Sequence, residues 1–172
     1  MFILSQIING VGTLLNIIGI NIKKKQYTLI FFALGNTCVA TALGLLHAYA
    51  GMTIQIIFVI QSIINYFWEK KNDKYPLWLI LLYIIIPCAI LVINYGSYWD
   101  LFPLFAAISF PLAQISKEFT LRFLNLMSVV VWIPYNLNFG QYVGAISCSI
   151  FTILNLVAIY RFDIKKVKTS FN

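Results

Sequence analysis

The sequence predicts an all-α polytopic membrane protein, with seven transmembrane helices forming two parallel three-helix-bundle repeats joined by a linker helix. Three observations carry this. Of the 172 residues, 61% are hydrophobic and only 10% are charged, whereas a soluble domain carries about 25% charged residues. The apolar residues fall into seven runs near the length of roughly 20 residues that a membrane helix needs. All 12 basic residues fall on one side: eleven in alternate gaps between those runs or in the tail after the last one, and Arg122 at the start of the sixth run. The composition excludes an ordinary water-soluble globule, and it excludes intrinsic disorder, whose signature is low hydrophobicity.

The first run, Ile3–Ile22, ends at Lys23-Lys24-Lys25. It lacks a basic N-terminal region and is followed by lysines, so it is expected to remain as a first span rather than be cleaved as a signal peptide. The second run, Tyr27–Leu46, ends near His47 and Gly51, and the third, Met52–Trp68, ends at Glu69-Lys70-Lys71. The fourth, Leu77–Tyr95, carries Pro87; the fifth, Leu101–Ile115, is short; the sixth and seventh are Thr120–Leu137 and Val143–Tyr160. The links between runs are short, so sequential helices must be antiparallel neighbours. Helices also satisfy their backbone polar groups internally, as lipid requires.

Charge placement sets the orientation. Lys23, Lys24 and Lys25 follow span one, and Lys70, Lys71 and Lys74 follow span three. Lys117 and Arg122 follow span five, and Arg161, Lys165, Lys166 and Lys168 follow span seven. The opposite side holds only Asp100. Positive residues accumulate on the cytoplasmic face, so the N-terminus is expected outside and the C-terminus in the cytoplasm. The net charge of +7 then reflects topology, with the lipid bilayer and its anionic head groups as the partner and no nucleic acid. Tyr27, Trp68, Tyr75, Trp78 and Tyr160 gather at one boundary, and Tyr49, Tyr95, Tyr98, Trp99 and Tyr142 at the other, as amphipathic rings do at the headgroup level.

Three spans, a linker span and three more suggest a duplication. A gapless shift of 93 residues places Ile22 on Ile115, Lys24 on Lys117, Tyr49 on Tyr142, Gly51 on Gly144 and Phe58 on Phe151. The expected organisation is a first repeat at 1–71, a linker with span four at 72–98, a second repeat at 99–164 and a cytoplasmic tail at 165–172. Repeats in the same orientation are related by an axis along the membrane normal.

This layout is similar to the 3+1+3 architecture of the SWEET sugar transporters and PnuC vitamin transporters. A closer resemblance is to the YgjV-type bacterial inner-membrane proteins. It is carried by Leu101-Phe102-Pro103, Thr120-Leu121-Arg122, Ser128, Trp132, Asn136, Asn155-Leu156 and Arg161-Phe162. The first half adds Gly10, Gly12, Lys24-Lys25-Gln26 and Ala50-Gly51. The resemblance implies a multi-pass protein of the bacterial cytoplasmic membrane. Members of that family often carry a His in span two and an Asn and an Arg in span three. Thr41, Ile57 and Ile60 stand near those places here, so a ligand set of that kind does not carry over. The Pro-Gln dipeptide of PQ-loop transporters is also missing.

No Asp or Glu lies within a span. Intramembrane ionisable groups mark proton relays and ion paths, so coupling through a membrane carboxylate is not expected, nor is a cationic ligand held by an ion pair. Uncharged polar residues do occur at mid-depth: Asn16 with its repeat counterpart Ser109, Asn36 beside Gly35 with counterpart Ser128, Gln61, and Asn155 with counterpart Ser62. Together with Trp132 as a stacking wall, they form a candidate binding set. The competing reading is interhelical bonding, worth about 0.6 kcal/mol per contact on average. Gly19, Pro111 and Pro134 are candidate hinges, because Gly- or Pro-interrupted segments in corresponding places point to a transporter site. The alternative is kinking and close packing.

Cys38, Cys88 and Cys148 sit in apolar runs and read as packing residues, and His47 reads as a solvated interfacial residue. There is no Ser/His/Asp set, paired carboxylate, phosphate loop or zinc spacing, so neither an enzyme nor a cofactor or metal is expected. The functional expectation is a facilitative permease for an uncharged or zwitterionic small metabolite. The alternative is a non-transporting membrane interaction, assembly or immunity protein.

Overall fold

A computed structural model of the chain describes residues 1–20, 22, 25–71, 76–93, 96–115 and 118–160. Lys23, Lys24, Lys74, Lys117, Arg161, Lys165, Lys166 and Lys168, and the boundary aromatics Tyr75 and Tyr95, lie outside these residues. All regular structure among the described residues is helical. In chain order the helices are α1 (Phe2–Ile20), α2 (Lys25–Leu45), α3 (Tyr49–Lys71), α4 (Leu77–Ile93), α5 (Leu101–Ile115), α6 (Glu118–Val130), α7 (Trp132–Asn138) and α8 (Tyr142–Ile159). A 3-10 turn at Tyr98–Asp100 leads into α5. Its Ser97 and Asp100 form a capping box, with Asp100 Oδ2 accepting from the backbone N–H groups of Gly96 and Ser97 at 3.0 Å each.

By length and composition, α1, α2 and α3 can each cross a membrane; α4, α8 and α5 with its leading turn are apolar but shorter. Each expected run coincides with helix to within a few residues, with one correction. The sixth run, expected to be continuous over Thr120–Leu137, is parted by a turn at Val131, where the dihedrals stay helical (φ −67°, ψ −21°) and the N–H still reaches Met127 O at 3.4 Å. Pro134 contributes to this turn: its ring nitrogen cannot donate to the carbonyl of Val130, and the ring crowds that carbonyl. Pro87 and Pro111, by contrast, sit inside continuous helices.

The distribution of polarity is inverted relative to a soluble protein. Large apolar side chains face outward: Ile3, Ile7, Val11, Leu14 and Ile18 on α1, Leu81, Leu82, Ile85 and Ile86 on α4, and Ile146, Ile150, Ile153 and Val157 on α8. Polar side chains lie inside: Ser5, Asn9, Gln55, Gln61, Ser62, Asn65, Ser109, Ser128, Asn136 and Gln141 are all buried. Apolar faces of this extent do not persist on soluble monomers. Polar side chains that bond across helices are the usual arrangement in lipid.

Contacts between helices fix their directions. On α1 and α2, Ser5 meets Ala42, Gly12 meets Gly35 and Gly19 meets Phe31, which is an antiparallel hairpin. Its axes approach closely: a Cβ on Gly12 would lie 2.7 Å from Gly35 O, and one on Gly35 would lie 2.8 Å from Gly12 O. Asn125 meets Asn155, and Asn136 meets Gly144, so α6–α7 run antiparallel to α8. Gly10 meets Val143, and Thr13 meets Ser147, so α1 and α8 are parallel. Packing runs α1–α2–α3–α5–α6–α8 and back to α1, which closes a ring, while α4 packs on α5 and α3.

The two turns at one end of this ring match in detail. In the α2–α3 turn, Ala48 N donates to Leu43 O at 3.0 Å, His47 N to Gly44 O at 3.1 Å and Met52 N to Ala48 O at 3.0 Å. In the α7–α8 turn, Gln141 N donates to Asn136 O at 2.7 Å, Gly140 N to Leu137 O at 3.2 Å and Ala145 N to Gln141 O at 3.0 Å. Every one of these atoms is 93 residues from its counterpart. Among the described residues, His47 and Gly140, also 93 apart, are those with positive φ, at 59° and 69°.

Candidate functional site

Of the candidate set, the structure brings Asn16 and Asn36 together. Asn16 Nδ2 donates to Asn36 Oδ1 at 3.4 Å across the tight α1–α2 crossing. Asn16 Oδ1 is pressed against Gly35 and is buried without a hydrogen-bond partner. The other members are distributed over α3, α5, α6, α7 and α8. Gln61 on α3 is 2% exposed, and its Nε2 donor has no partner. Ser109 donates to Phe105 O of its own helix at 2.7 Å. Asn155 accepts from Asn125 Nδ2 at 3.3 Å and donates to Phe151 O at 3.0 Å. Ser128 is buried on α6. Trp132 lies within the apolar core with Leu43, Ile54, Phe58, Ala106 and Ala107, edge-on to Tyr135 at a centroid distance of 5.5 Å.

Among the three candidate hinges, Pro134 coincides with an interruption. Gly19 sits where a Cβ would lie 3.0 Å from Phe31 Cβ, which is a close-packing role. Pro111 is fully buried in α5.

Among the described residues, a polar network at the turn end joins α1–α3 to α7 and α8. Tyr135, fully buried on α7, accepts from Gly51 N–H at 2.7 Å and donates to Ala48 O at 3.4 Å. Gly51 is in the first turn of α3, where backbone donors have no partner within the helix, so the Tyr135 hydroxyl supplies the missing acceptor. Gln141, also fully buried, donates from Nε2 to Ser5 Oγ at 3.0 Å, and Ser5 Oγ donates to Ala42 O at 2.9 Å. Gln6 Nε2 donates to Gly140 O at 2.9 Å, and Gln6 Oε1 accepts from Val143 N–H at 3.0 Å. Thr13 and Ser147 lie 3.1 Å apart further along α1 and α8.

Among the described residues, four buried amide atoms have no hydrogen-bond partner: Asn16 Oδ1, Gln55 Oε1, Gln61 Nε2 and Gln141 Oε1. Each such atom costs about 1–3 kcal/mol. Two of these residues, Gln55 and Gln141, were not among those the sequence singled out, and neither were Ser5, Asn9 and Asn65. A signal existed for some of them. Ser5, Asn9 and Thr13 repeat at four-residue spacing, which is a polar stripe on an apolar helix. Gln141 carries no such signal, because it sits in a short turn that reads as a solvated link.

Comparison with known proteins adds one relationship. A family model described as a bacterial inner membrane protein matches residues 3–166. No curated protein and no solved structure matches the chain.

Proposed function

Since the chain belongs to the YgjV-type family of bacterial inner membrane proteins, we propose that it is a facilitative permease for an uncharged or zwitterionic small metabolite. In this reading the seven helical segments, counting α6 and α7 as one, span the bilayer as two three-helix repeats around the α4 linker. The lysine-bearing links face the cytoplasm, and the turn end faces outward. The shared hydrogen bonds of the two turns support the repeat. The single-sided basic residues support the orientation. No catalytic step and no cofactor enter.

The observation that carries the reading is the set of buried amide atoms without partners. If the amides served only to join helices, each would be satisfied by its neighbours. Gln61 and Asn16 instead hold a free donor and a free acceptor inside the bundle. An amide can take either role, so these groups suit a solute carrying hydroxyl, carbonyl or amide groups and need no ion pair. Asn36, Ser109, Ser128, Trp132 and Asn155 complete the proposed contacts.

The test is a thermal-unfolding screen of the purified protein in nanodiscs against a metabolite library, followed by flux in proteoliposomes. A true ligand at a hundred times its Kd stabilises by about 2.7 kcal/mol, and both Asn36→Leu and Gln61→Leu should weaken that shift. The absence of any stabilising solute, or unchanged shifts in both variants, refutes the reading. The second reading, a non-transporting interaction protein, draws on the satisfied pairs Asn125–Asn155 and Tyr83–Asn65, the latter at 2.9 Å. It predicts no solute effect and a loss of stability when Asn125 or Asn65 is replaced by Leu.

A further inference from the structure

Two of the contacts at the turn end are related by the same 93-residue offset as the turns themselves. Tyr135, the counterpart of Ala42, reaches Ala48. Ala42 is in turn reached by Gln141, the counterpart of Ala48, through Ser5. The two contacts are therefore mates under exchange of the halves. In both, the side chain that reaches comes from the second half, and the final acceptor is a backbone carbonyl of α2 or of the turn that follows it.

The segment bearing both side chains is short and bounded. It runs from Trp132 to Gln141, between the helix break at Val131 and the positive-φ Gly140 that precedes its last residue. The first-half equivalent of α7, residues 39–45, belongs to an unbroken α2. One face of the segment fits without clearance: a Cβ on Gly51 would lie 2.6 Å from Tyr135 Cε1. Beneath it, Asn136 Nδ2 contacts Cys148 Sγ of α8 at 3.8 Å.

We propose that residues 132–141 form a gate, with the Tyr135 and Gln141 contacts as paired clasps that seal the outer end of the permease, and with the break at Val131 as its hinge. This rests on the permease reading. The structure is then the conformation closed at the turn end. Opening would swing α7 away from Ala48, Gly51 and Ser5, expose the Trp132 and Tyr135 rings, and uncover Cys148. Opening would also break the bond from Gln6 Nε2 to Gly140 O, while the bond from Val143 N–H to Gln6 Oε1 would keep the base of α8 in place.

The experiment uses Cys148 as the reporter, in a chain carrying Cys38→Ala and Cys88→Ala. A charged, membrane-impermeant maleimide is added to spheroplasts with no solute present. Labelling of Cys148 should be slow in this background. It should accelerate about two- to tenfold in Gln141→Leu, the change in an opening equilibrium expected for one lost hydrogen bond, at least as much in Tyr135→Phe, which loses two, and further in the double variant. Pro134→Ala keeps both clasps and restores the missing backbone donor, so it should slow labelling; it provides the test if the clasp variants fold poorly in a parallel unfolding assay. Labelling that is fast at the outset, or unchanged in the clasp variants and in Pro134→Ala, overturns the gate. Because no solute is involved, this result is independent of the metabolite screen: a gate without a ligand removes the permease reading alone, and a ligand without a gate removes this inference alone.

Discussion

The α2–α3 turn and the α7–α8 turn share most of their backbone hydrogen bonds and almost none of their side chains. Three hydrogen bonds and a left-handed residue recur at a constant offset, yet His47 stands for Gly140, Ala48 for Gln141, Ala42 for Tyr135 and Thr41 for Pro134. The path of the chain through a short turn is set by its carbonyl and N–H pairings, which tolerate side-chain replacement. Function can therefore diverge on a constant frame. Here Tyr135 and Gln141 of the second half reach toward α2 and the turn after it, while Gln6 of α1 reaches back to backbone groups of Gly140 and Val143. The difference extends into the preceding helix. Thr41 donates to Thr37 O at 2.9 Å within a continuous α2, while Pro134 divides α6 from α7.

The largest effect is expected from imposing the second half's break on the first. Thr41→Pro removes a backbone donor from a helix interior and should lower stability by about 3 kcal/mol or more, measured by denaturant unfolding in micelles. Pro134→Thr, the reverse exchange, should change stability far less, because the surrounding chain is already arranged around an interruption. Equal costs for the two would show that α2 bends as readily as α6–α7, and the asymmetry assigned to the halves would disappear.

The helical segments were legible in the sequence because membrane spans announce themselves by length and hydropathy alone. The break at Val131 was not, although Pro134 was in view, because Pro87 and Pro111 show that a proline in an apolar run does not by itself divide a helix. Site residues were legible only where polarity stood out against a run, as with Asn16, Asn36 and Gln61. Tyr135 and Gln141 were not distinguishable, since a tyrosine near a helix end and a glutamine in a turn both suit an exposed boundary. Their burial depends on which turn of the other bundle lies opposite, and that information is in the packing, not in the local pattern.

A smaller effect separates the two equivalent glycines. Gly51→Ala places a Cβ 2.6 Å from Cε1 and 2.8 Å from the hydroxyl of Tyr135. That ring is fully buried and rigid, so overpacking should cost about 1–3 kcal/mol. Gly144→Ala meets Gln141 Cγ at 3.0 Å and Asn136 Cγ at 3.1 Å, atoms of flexible side chains, and should cost less than about 1 kcal/mol. The Gly51 variant should also speed the labelling of Cys148, since its strain is relieved by displacing Tyr135. If Gly144→Ala proves the more damaging, the clasp at Tyr135 is looser than its distances imply.

The smallest effect tests the shared backbone itself. A non-glycine residue in the left-handed region costs about 1–2 kcal/mol, and His47 bears that cost at φ 59°. His47→Gly removes it but also removes the exposed hydrogen bond between His47 Nδ1 and the Tyr49 hydroxyl at 2.8 Å. It further adds freedom to the unfolded chain. The strain relief is the largest of the three, so a net gain of about 0.5 kcal/mol is expected, seen as a small rise in Tm. Gly140→Ala incurs the strain without gaining a contact and should lose about 1 kcal/mol. Opposite signs at two positions 93 residues apart would mean that both turns hold the same left-handed conformation during unfolding. A loss in His47→Gly would mean that the His47–Tyr49 contact, and not the carbonyl pairings, shapes the first turn.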